Sequence, residues 1–320
     1  MDLEELALFE QSVRRAAATG AGDDLDRALF ELGWADALAD DPRSAISVVF
    51  ETQGELNATS SAIEDVIMRE LRLEDALGRA LVLPSLTLGD PPGVIERGRV
   101  TVRGIATRAL LRCDTVAVPA IAGHVNVVAL IEPAALERRP VKGIDPASGL
   151  YEVSAHSVGT GEGMPFNSVD WEAALAKGRL AISHELVGVQ RQMLRLARDH
   201  ATGRIQFGRP ISAFQAVRHR LSESLVAVES AHAALGAAWD HPSQFTASVA
   251  KAIAGRNSKT VVRHCQQVLA GVGFTASHPF HRYLRRSLVL DGLLGSSRVL
   301  SRQIGEELLR TRRLPGALPL

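Results

Sequence analysis

The chain has little cysteine, no net charge and no long apolar run, and each shortage excludes something. Two cysteines in 320 residues, Cys113 and Cys265, stand outside any CxxC pair or other metal-ligand spacing, so a reduced, cytoplasmic protein is expected. Lys and Arg total 36 and Asp and Glu total 36, which leaves no electrostatic case for nucleic acid or an anionic membrane as partner. Local basic groups can still hold a phosphate. No apolar run reaches the roughly 18–20 residues of a membrane span. The opening Met1-Asp-Leu-Glu-Glu-Leu is acidic and lacks a basic region ahead of an apolar one, so no secretory signal is expected. A dinucleotide fingerprint is also missing: Gly159-Thr-Gly-Glu-Gly163 does not run from a strand into a helix and reads as a turn.

What is present is a hydrophobic content of 46%, enough for one large core or two to three smaller ones, and a texture that changes twice along the chain. From Leu3 to about Leu77 the pattern is helical. Leu3, Leu6 and Phe9 share a face, the stretch Asp26 to Ala39 continues at similar spacing, and Pro42 opens a new helix where its missing N–H costs nothing. Gly54 and Asn57-Ala-Thr-Ser-Ser61 are expected to interrupt it. Between about Leu81 and Val169 the period falls to two. Val100-Thr-Val102, Thr115 to Pro119, Val125 to Ile131 and Tyr151 to Val153 read as short strands of a β-barrel or sandwich, with a turn at Asp145 to Gly149.

From Trp171 the helical period returns. Leu180, Leu186, Val187, Val189, Met193, Leu194 and Leu196 fill one half of a wheel, and His184, Glu185, Arg191, Arg195 and Asp199 the other. Val217, Leu221, Leu225, Val228 and Leu235 form a second stripe, and Lys251 to Leu269 and Pro279 to Leu309 supply two further long segments, which together predict a four-helix bundle. The expected fold class is α+β multidomain: an N-terminal helical domain at 1–78, a middle β-domain at 79–169 and a C-terminal four-helix bundle at 170–320.

Two segments carry a family likeness. Arg204-Ile-Gln-Phe-Gly-Arg-Pro-Ile-Ser-Ala-Phe-Gln215 and Gln267-Val-Leu-Ala-Gly271-Val-Gly273-Phe resemble the C-terminal signature of the acyl-CoA dehydrogenase flavoenzymes, and Trp34 to Ile46 looks like the opening helices of its short actinobacterial members. The resemblance implies FAD as cofactor, lying extended at a subunit interface. Carried over residue by residue, it implies that Arg204 meets the pyrophosphate, since a guanidinium is a fixed fork of donors. Gln267 would bond the ADP portion, Phe207 would form an apolar wall, and Gly271 and Gly273 would let backbone approach closely. Ser296 is carried over as a further cofactor contact.

The resemblance also exposes what is missing. Family members that hold their own flavin ring carry a Thr-Glu-Pro and Gly/Ser-rich loop at the start of the β-domain, where this chain reads Leu83-Pro-Ser-Leu-Thr-Leu-Gly-Asp-Pro-Pro92; Ser85 and Thr87 could replace one donor. The reaction needs a carboxylate to take the proton α to a thioester. Its usual position, ahead of a Gly-Thr/Ser pair, is Leu294, and its alternative, ahead of an Arg-Leu, is Gly178. Asp291 is the nearest carboxylate and is expected to be an exposed helix residue. His278 and His281 are three apart without further ligands nearby, so no metal site is expected.

Such a pattern is expected of the non-catalytic subunit of a heteromeric, α2β2 enzyme. The second acyl-CoA dehydrogenase subunit would be the partner, a steroid side-chain or ring-fragment acyl-CoA the substrate and electron-transfer flavoprotein the acceptor. The emptied site would leave space for a bulky acyl group. Two other readings stay open here: an active flavoenzyme using Asp291 as base, and a flavin-free structural homo-oligomer.

Overall fold

The computed structural model describes residues 1–73, 78–159 and 168–312. Leu77 and the turn expected at Thr160 to Gly163 lie outside the described residues. The chain opens with α1 (Leu3–Thr19), α2 (Asp23–Glu31), α3 (Trp34–Asp40), α4 (Pro42–Leu56) and α5 (Ala62–Glu70). Asp2 starts α1 with a capping box to Glu5, and Asp41 caps α4 by accepting from the Ser44 amide, with Pro42 in the first turn as expected. The helix expected from Asp26 to Ala39 is broken instead. Gly33, at φ 71°, separates α2 from α3. Leu3 leaves the face expected of it, being 88% exposed while Phe9 is buried.

Eight strands follow in one sheet: β1 (Arg79–Leu81), β2 (Leu83–Pro84), β3 (Gly93–Glu96), β4 (Arg99–Ala106), β5 (Thr115–Ala122), β6 (Val125–Ile131), β7 (Glu137–Pro140) and β8 (Tyr151–Gly159). β5 pairs with β6 along one edge, while its other edge is shared by β1 at residues 115–117 and by β3 at residues 120–122. Pro119 falls in the gap between those two partners, where the strand needs no amide on that side. Alternation then divides the cores. Ala80 and Val82 join Val100, Val102, Val116 and Val118 in a core belonging to the sheet, whereas Leu81 and Leu83 join the helices.

After the sheet come α6 (Trp171–Gly203), a short hairpin of β9 (Ile205–Gln206) and β10 (Arg209–Pro210), then α7 (Gln215–Asp240), α8 (Gln244–Leu269), α9 (Phe280–Gly292) and α10 (Ser297–Thr311). The segment expected to run from Pro279 to Leu309 is therefore two helices, split by a turn with Leu294 at φ 57° and Gly295 at φ 102°. The stripe on α7 holds at Val228 and Leu235, but Leu225 is exposed.

The half-polar wheel expected of α6 fails in its middle, where Gly178 through Gln190 are all buried. The cause is α4, which lies against its second side. Gly54 does not interrupt α4; it lets the two backbones meet. A Cβ on Gly54 would come within 2.2 Å of the Glu185 carbonyl, and one on Gly188 within 2.2 Å of the Glu51 carbonyl. The charged groups trapped there are paired, as burial requires, while among the described residues Gln53 Nε2 and Gln190 Oε1 are buried without a hydrogen-bond partner. His184 Nδ1 lies 2.8 Å from Glu51, its Nε2 accepts from Trp239 Nε1 at 3.0 Å, and Arg191 also pairs with Glu51. Arg286 donates to Glu185 at 2.9 and 2.6 Å.

Candidate functional site: an apolar groove and a closed turn

Two of the signature residues meet in one place. The β9–β10 hairpin, the start of α7 and the end of α8 enclose a groove of about 330 Å³ with Phe207, Ile211, Phe214, Val217 and Val268 as apolar walls and Gln206, Gln267 and Arg220 as polar groups. Phe207 sits at the hairpin tip at φ 53° and is 92% exposed, edge-on to Phe214 with ring centroids 6.1 Å apart. Arg209 stacks over the Phe214 ring at 4.4 Å. Gln267 is exposed on the last turn of α8. Gly271 follows in the 3₁₀ turn Ala270–Phe274, and a Cβ there would meet nothing within 4 Å. Gly273 differs, since a Cβ on it would lie 2.9 Å from Leu269, so it serves packing. Arg204 caps the C-terminus of α6, its carbonyl accepting from Ile211 to close the hairpin, and its exposed side chain lies beside the groove rather than in its lining.

Ser296 is placed elsewhere, as N-cap of α10, its Oγ accepting from the Val299 amide. It belongs to the turn that carries Leu294, and there the two candidate base positions converge. A Cβ on Gly178 would fall 2.7 Å from Leu294 Cδ1 and 3.1 Å from Ile67, and Leu294 is 1% exposed. The two positions are packed shut against each other, which corrects the expectation of spare room for a bulky acyl group.

Charge fixes the turn. Arg179 Nε donates to the Leu294 carbonyl at 2.9 Å and its Nη1 to Ser248 at 2.9 Å; Lys251 Nζ donates to the carbonyls of Asp291 at 3.0 Å and Gly295 at 3.3 Å. These cations satisfy the Asp291 carbonyl that the end of α9 leaves orphaned and two carbonyls of the turn beyond it. Lys251 is wholly buried, and burial brings its amine down to about 7, with Arg179 and Lys259 adding to the effect against Asp291. Burial likewise lowers Arg179 to about 10.

Asp291 is not the exposed residue expected: it is 8% exposed. Its carboxylate accepts from the Ser297 amide at 2.9 Å and hydroxyl at 3.2 Å and pairs with Lys259 at 3.2 Å. Burial alone would raise this carboxyl, but Lys251, Ser297 and Lys259 outweigh it and hold it below its ordinary value. A carboxylate so held is a weak base, and it caps a helix. The reason it is buried is α8: Gly255 has no side chain because a Cβ there would come within 2.0 Å of Asp291 Oδ1.

The loop after β2 completes the closure. The Thr87 amide donates to the Gly292 carbonyl at 2.7 Å, Ser85 Oγ to the Arg103 carbonyl at 3.4 Å, and Trp171 Nε1 to the Gly89 carbonyl at 2.9 Å. A Cβ on Gly89 would meet Arg179 at 2.8 Å. The donors offered by Ser85 and the Thr87 amide are thus spent inside the protein. The groove, by contrast, keeps two amides, a guanidinium and aromatic walls, a donor set suited to the adenosine-diphosphate half of FAD. The residues fit one half of that cofactor and not its ring half.

His278 accepts from the Phe280 amide at 3.2 Å and His281 lies 2.7 Å from the His278 carbonyl, so both rings serve their own turn. Among the described residues no group of three or more His, Cys, Asp or Glu could hold a metal ion, and no helix is long and apolar enough to cross a membrane. Sequence reading missed Arg179, Arg220, Lys251 and His264. Lys251 left a trace, since Ala247, Ala250, Ala252, Ala254 and Gly255 mark a helix face packed too closely for a solvated lysine.

Residues 169–309 match the family described as acyl-CoA dehydrogenase, C-terminal domain. Among curated proteins the chain is similar to acyl-CoA dehydrogenase IpdE2 of Mycobacterium tuberculosis, 30% identical over 128 residues, 40% of each chain. It is also similar to acyl-CoA dehydrogenase FadE34 of the same organism, 39% identical over 123 residues, 36% of this chain and 17% of that one. The matches thus span well under half of these relatives. Among solved structures, the ChsE4-ChsE5 complex from Mycobacterium tuberculosis superposes with a TM-score of 0.79 at 19% identity, covering 99% of both chains. Helices, sheet and bundle in this order are the acyl-CoA dehydrogenase fold, and residues 169–309 of the chain match the acyl-CoA dehydrogenase C-terminal domain.

Proposed function

We propose that this chain is the non-catalytic subunit of a heteromeric, FAD-dependent acyl-CoA dehydrogenase, in which it clamps the ADP half of a cofactor whose ring and catalytic glutamate belong to a partner subunit. The observation that carries the proposal is the packing of Leu294 against Gly178: both positions where the family places its base are apolar, and the space between them is filled. FAD supplies the hydride-accepting chemistry of the family when bound. This chain's own residues bind and orient. Phe207 and Phe214 wall the groove, Gln267 offers its amide, Gly271 leaves backbone accessible, and Arg204 stands beside it as a cation for the pyrophosphate. The three-part division at 1–78, 79–169 and 170–320 belongs to the same proposal.

The partner is proposed to be a second acyl-CoA dehydrogenase chain in an α2β2 assembly, with electron-transfer flavoprotein as acceptor. The likeness to a heteromeric complex supports this, and the steroid acyl-CoA class rests on the likeness in fold to the Tcur3481-Tcur3483 steroid ACAD. The reading with Asp291 as base is disfavoured by the three contacts that engage its carboxylate. The test is flavin absorbance of the purified chain, alone and co-expressed with a candidate partner, together with a ferrocenium-coupled acyl-CoA assay. Yellow colour and turnover only with the partner are expected. Turnover by the lone chain would overturn the proposal, and a colourless, inactive complex would favour a structural homo-oligomer. Arg204→Ala in the complex is expected to lower flavin retained per mole; unchanged flavin content would remove the role given to Arg204.

A further inference from the structure

Among the described residues Arg220 is the one guanidinium in the lining of the groove, and it is not free to point anywhere. Its Nη1 lies 3.2 Å from Nδ1 of His264, a residue on α8 that is 7% exposed. The other nitrogen of that ring, Nε2, lies 3.1 Å from Glu223 Oε2. An arginine can only donate, so Nδ1 must accept and Nε2 must carry the proton given to Glu223. The imidazole is therefore neutral, and its tautomer is set by its two partners. Charged groups face it from both packed helices: Arg220 and Glu223 on α7 and Arg263 on α8. Burial lowers its proton affinity, and the two arginines lower it further against Glu223.

The geometry assigns Arg220 as a second anion-binding group of the groove, aimed by His264, so that the clamp on a nucleoside diphosphate loosens when that histidine takes a proton. This rests on the clamp reading above and deepens it. A protonated ring has no lone pair for Arg220 and repels it, so the guanidinium loses its support at the groove wall. Gln267 and the apolar walls do not titrate, so only the diphosphate end of the ligand is affected. His264 is a positioning residue; Arg220 is the one that would touch the ligand.

The probe is ADP-ribose, whose diphosphate is a diester and takes up no proton near neutrality, titrated calorimetrically into the full chain at pH 7.5 and pH 5.5. Wild type is expected to bind severalfold more weakly at the lower pH, short of the about tenfold scale of one charge-assisted hydrogen bond because the histidine is only partly protonated there. Arg220→Gln should show the weaker affinity at both values. His264→Gln, whose amide accepts from Arg220 and donates to Glu223 without titrating, should keep the pH 7.5 affinity at pH 5.5. If Arg220→Gln binds like wild type while Gln267→Ala is weakened, this assignment fails and the clamp survives. If wild type shows no saturable binding at millimolar ADP-ribose, both fail. A His264→Gln profile that falls with pH as wild type does would overturn the positioning role alone.

Discussion

Lys251 offers a direct test of whether the turn at Leu294 is closed. A wholly buried amine whose only partners are two carbonyls and a nearby carboxylate is brought down to about 7. An unfolded lysine titrates near about 10.4. The folded amine is the depressed one, so above pH 7 the unfolded chain binds the extra proton and stability rises with pH until about pH 10. Integrated from pH 7 to pH 9, those two values give a gain of about 2 kcal/mol from this one group. Urea unfolding of wild type and Lys251→Met at pH 7, 8 and 9 measures it. Burial also raises the thiols, Cys265 to about 12, and those groups act in the opposite direction above pH 8. They are present in both proteins and cancel in the difference. The Met variant is expected to lack the rise, so that its stability relative to wild type falls by about 2 kcal/mol between pH 7 and pH 9. Parallel profiles would mean that water reaches Lys251 and that the turn opens, and the closed-site reading would go with it.

Three further outcomes follow from the same packing. Leu294→Glu places a carboxylate against Ile67 and Gly178; it should yield no turnover in the acyl-CoA assay and cost about 2 kcal/mol or more in urea, from lost apolar burial alone. Gly54→Ala forces α4 from α6, and chemical denaturation should register a loss of about 1–3 kcal/mol, with soluble, wild-type-like protein as the refuting result. Arg286→Met strands Glu185, whose carboxyl burial already raises, at a cost of about 3–5 kcal/mol near neutral pH; adding Glu185→Leu should recover most of it.

The layer order, the strands β4, β5, β6 and β8 and the bundle were legible because period two and period 3.6 are written by apolar residues wherever one face is wet, whereas β1, β2, β3 and β7 are too short to write a period. Legibility failed where both faces were dry. On α6 the wheel assigns His184 and Glu185 to solvent, yet α4 covers them, and only Gly54 and Gly188 hint at that neighbour. The break in the last segment was hidden because Leu294 is a poor residue for positive φ and only Gly295 advertises a turn. The groove was half legible. Phe207 and Gln267 stand in sequence motifs, but Arg220 and His264 are 44 residues apart and meet only through the pairing of α7 with α8.

On the function proposed, that pairing lets one region of the chain be closed while another stays open. α8 runs through both. In its first half Lys251 and Gly255 grip the turn at Asp291 to Gly295, and near its end Gln267 lines the groove and His264 backs Arg220. From Lys251 to Gln267 is 16 residues, or about 24 Å of rigid helix. The charged contacts that hold Leu294 in place of a base also fix the register of the rod that presents Gln267 and backs Arg220. An opened substrate cleft would leave that end of α8 with water in place of Asp291, Arg179 and the two carbonyls. A subunit whose contribution is to hold half of a cofactor gains from the opposite arrangement, with one end of α8 pinned in a dry core so that the other end is presented in a single position.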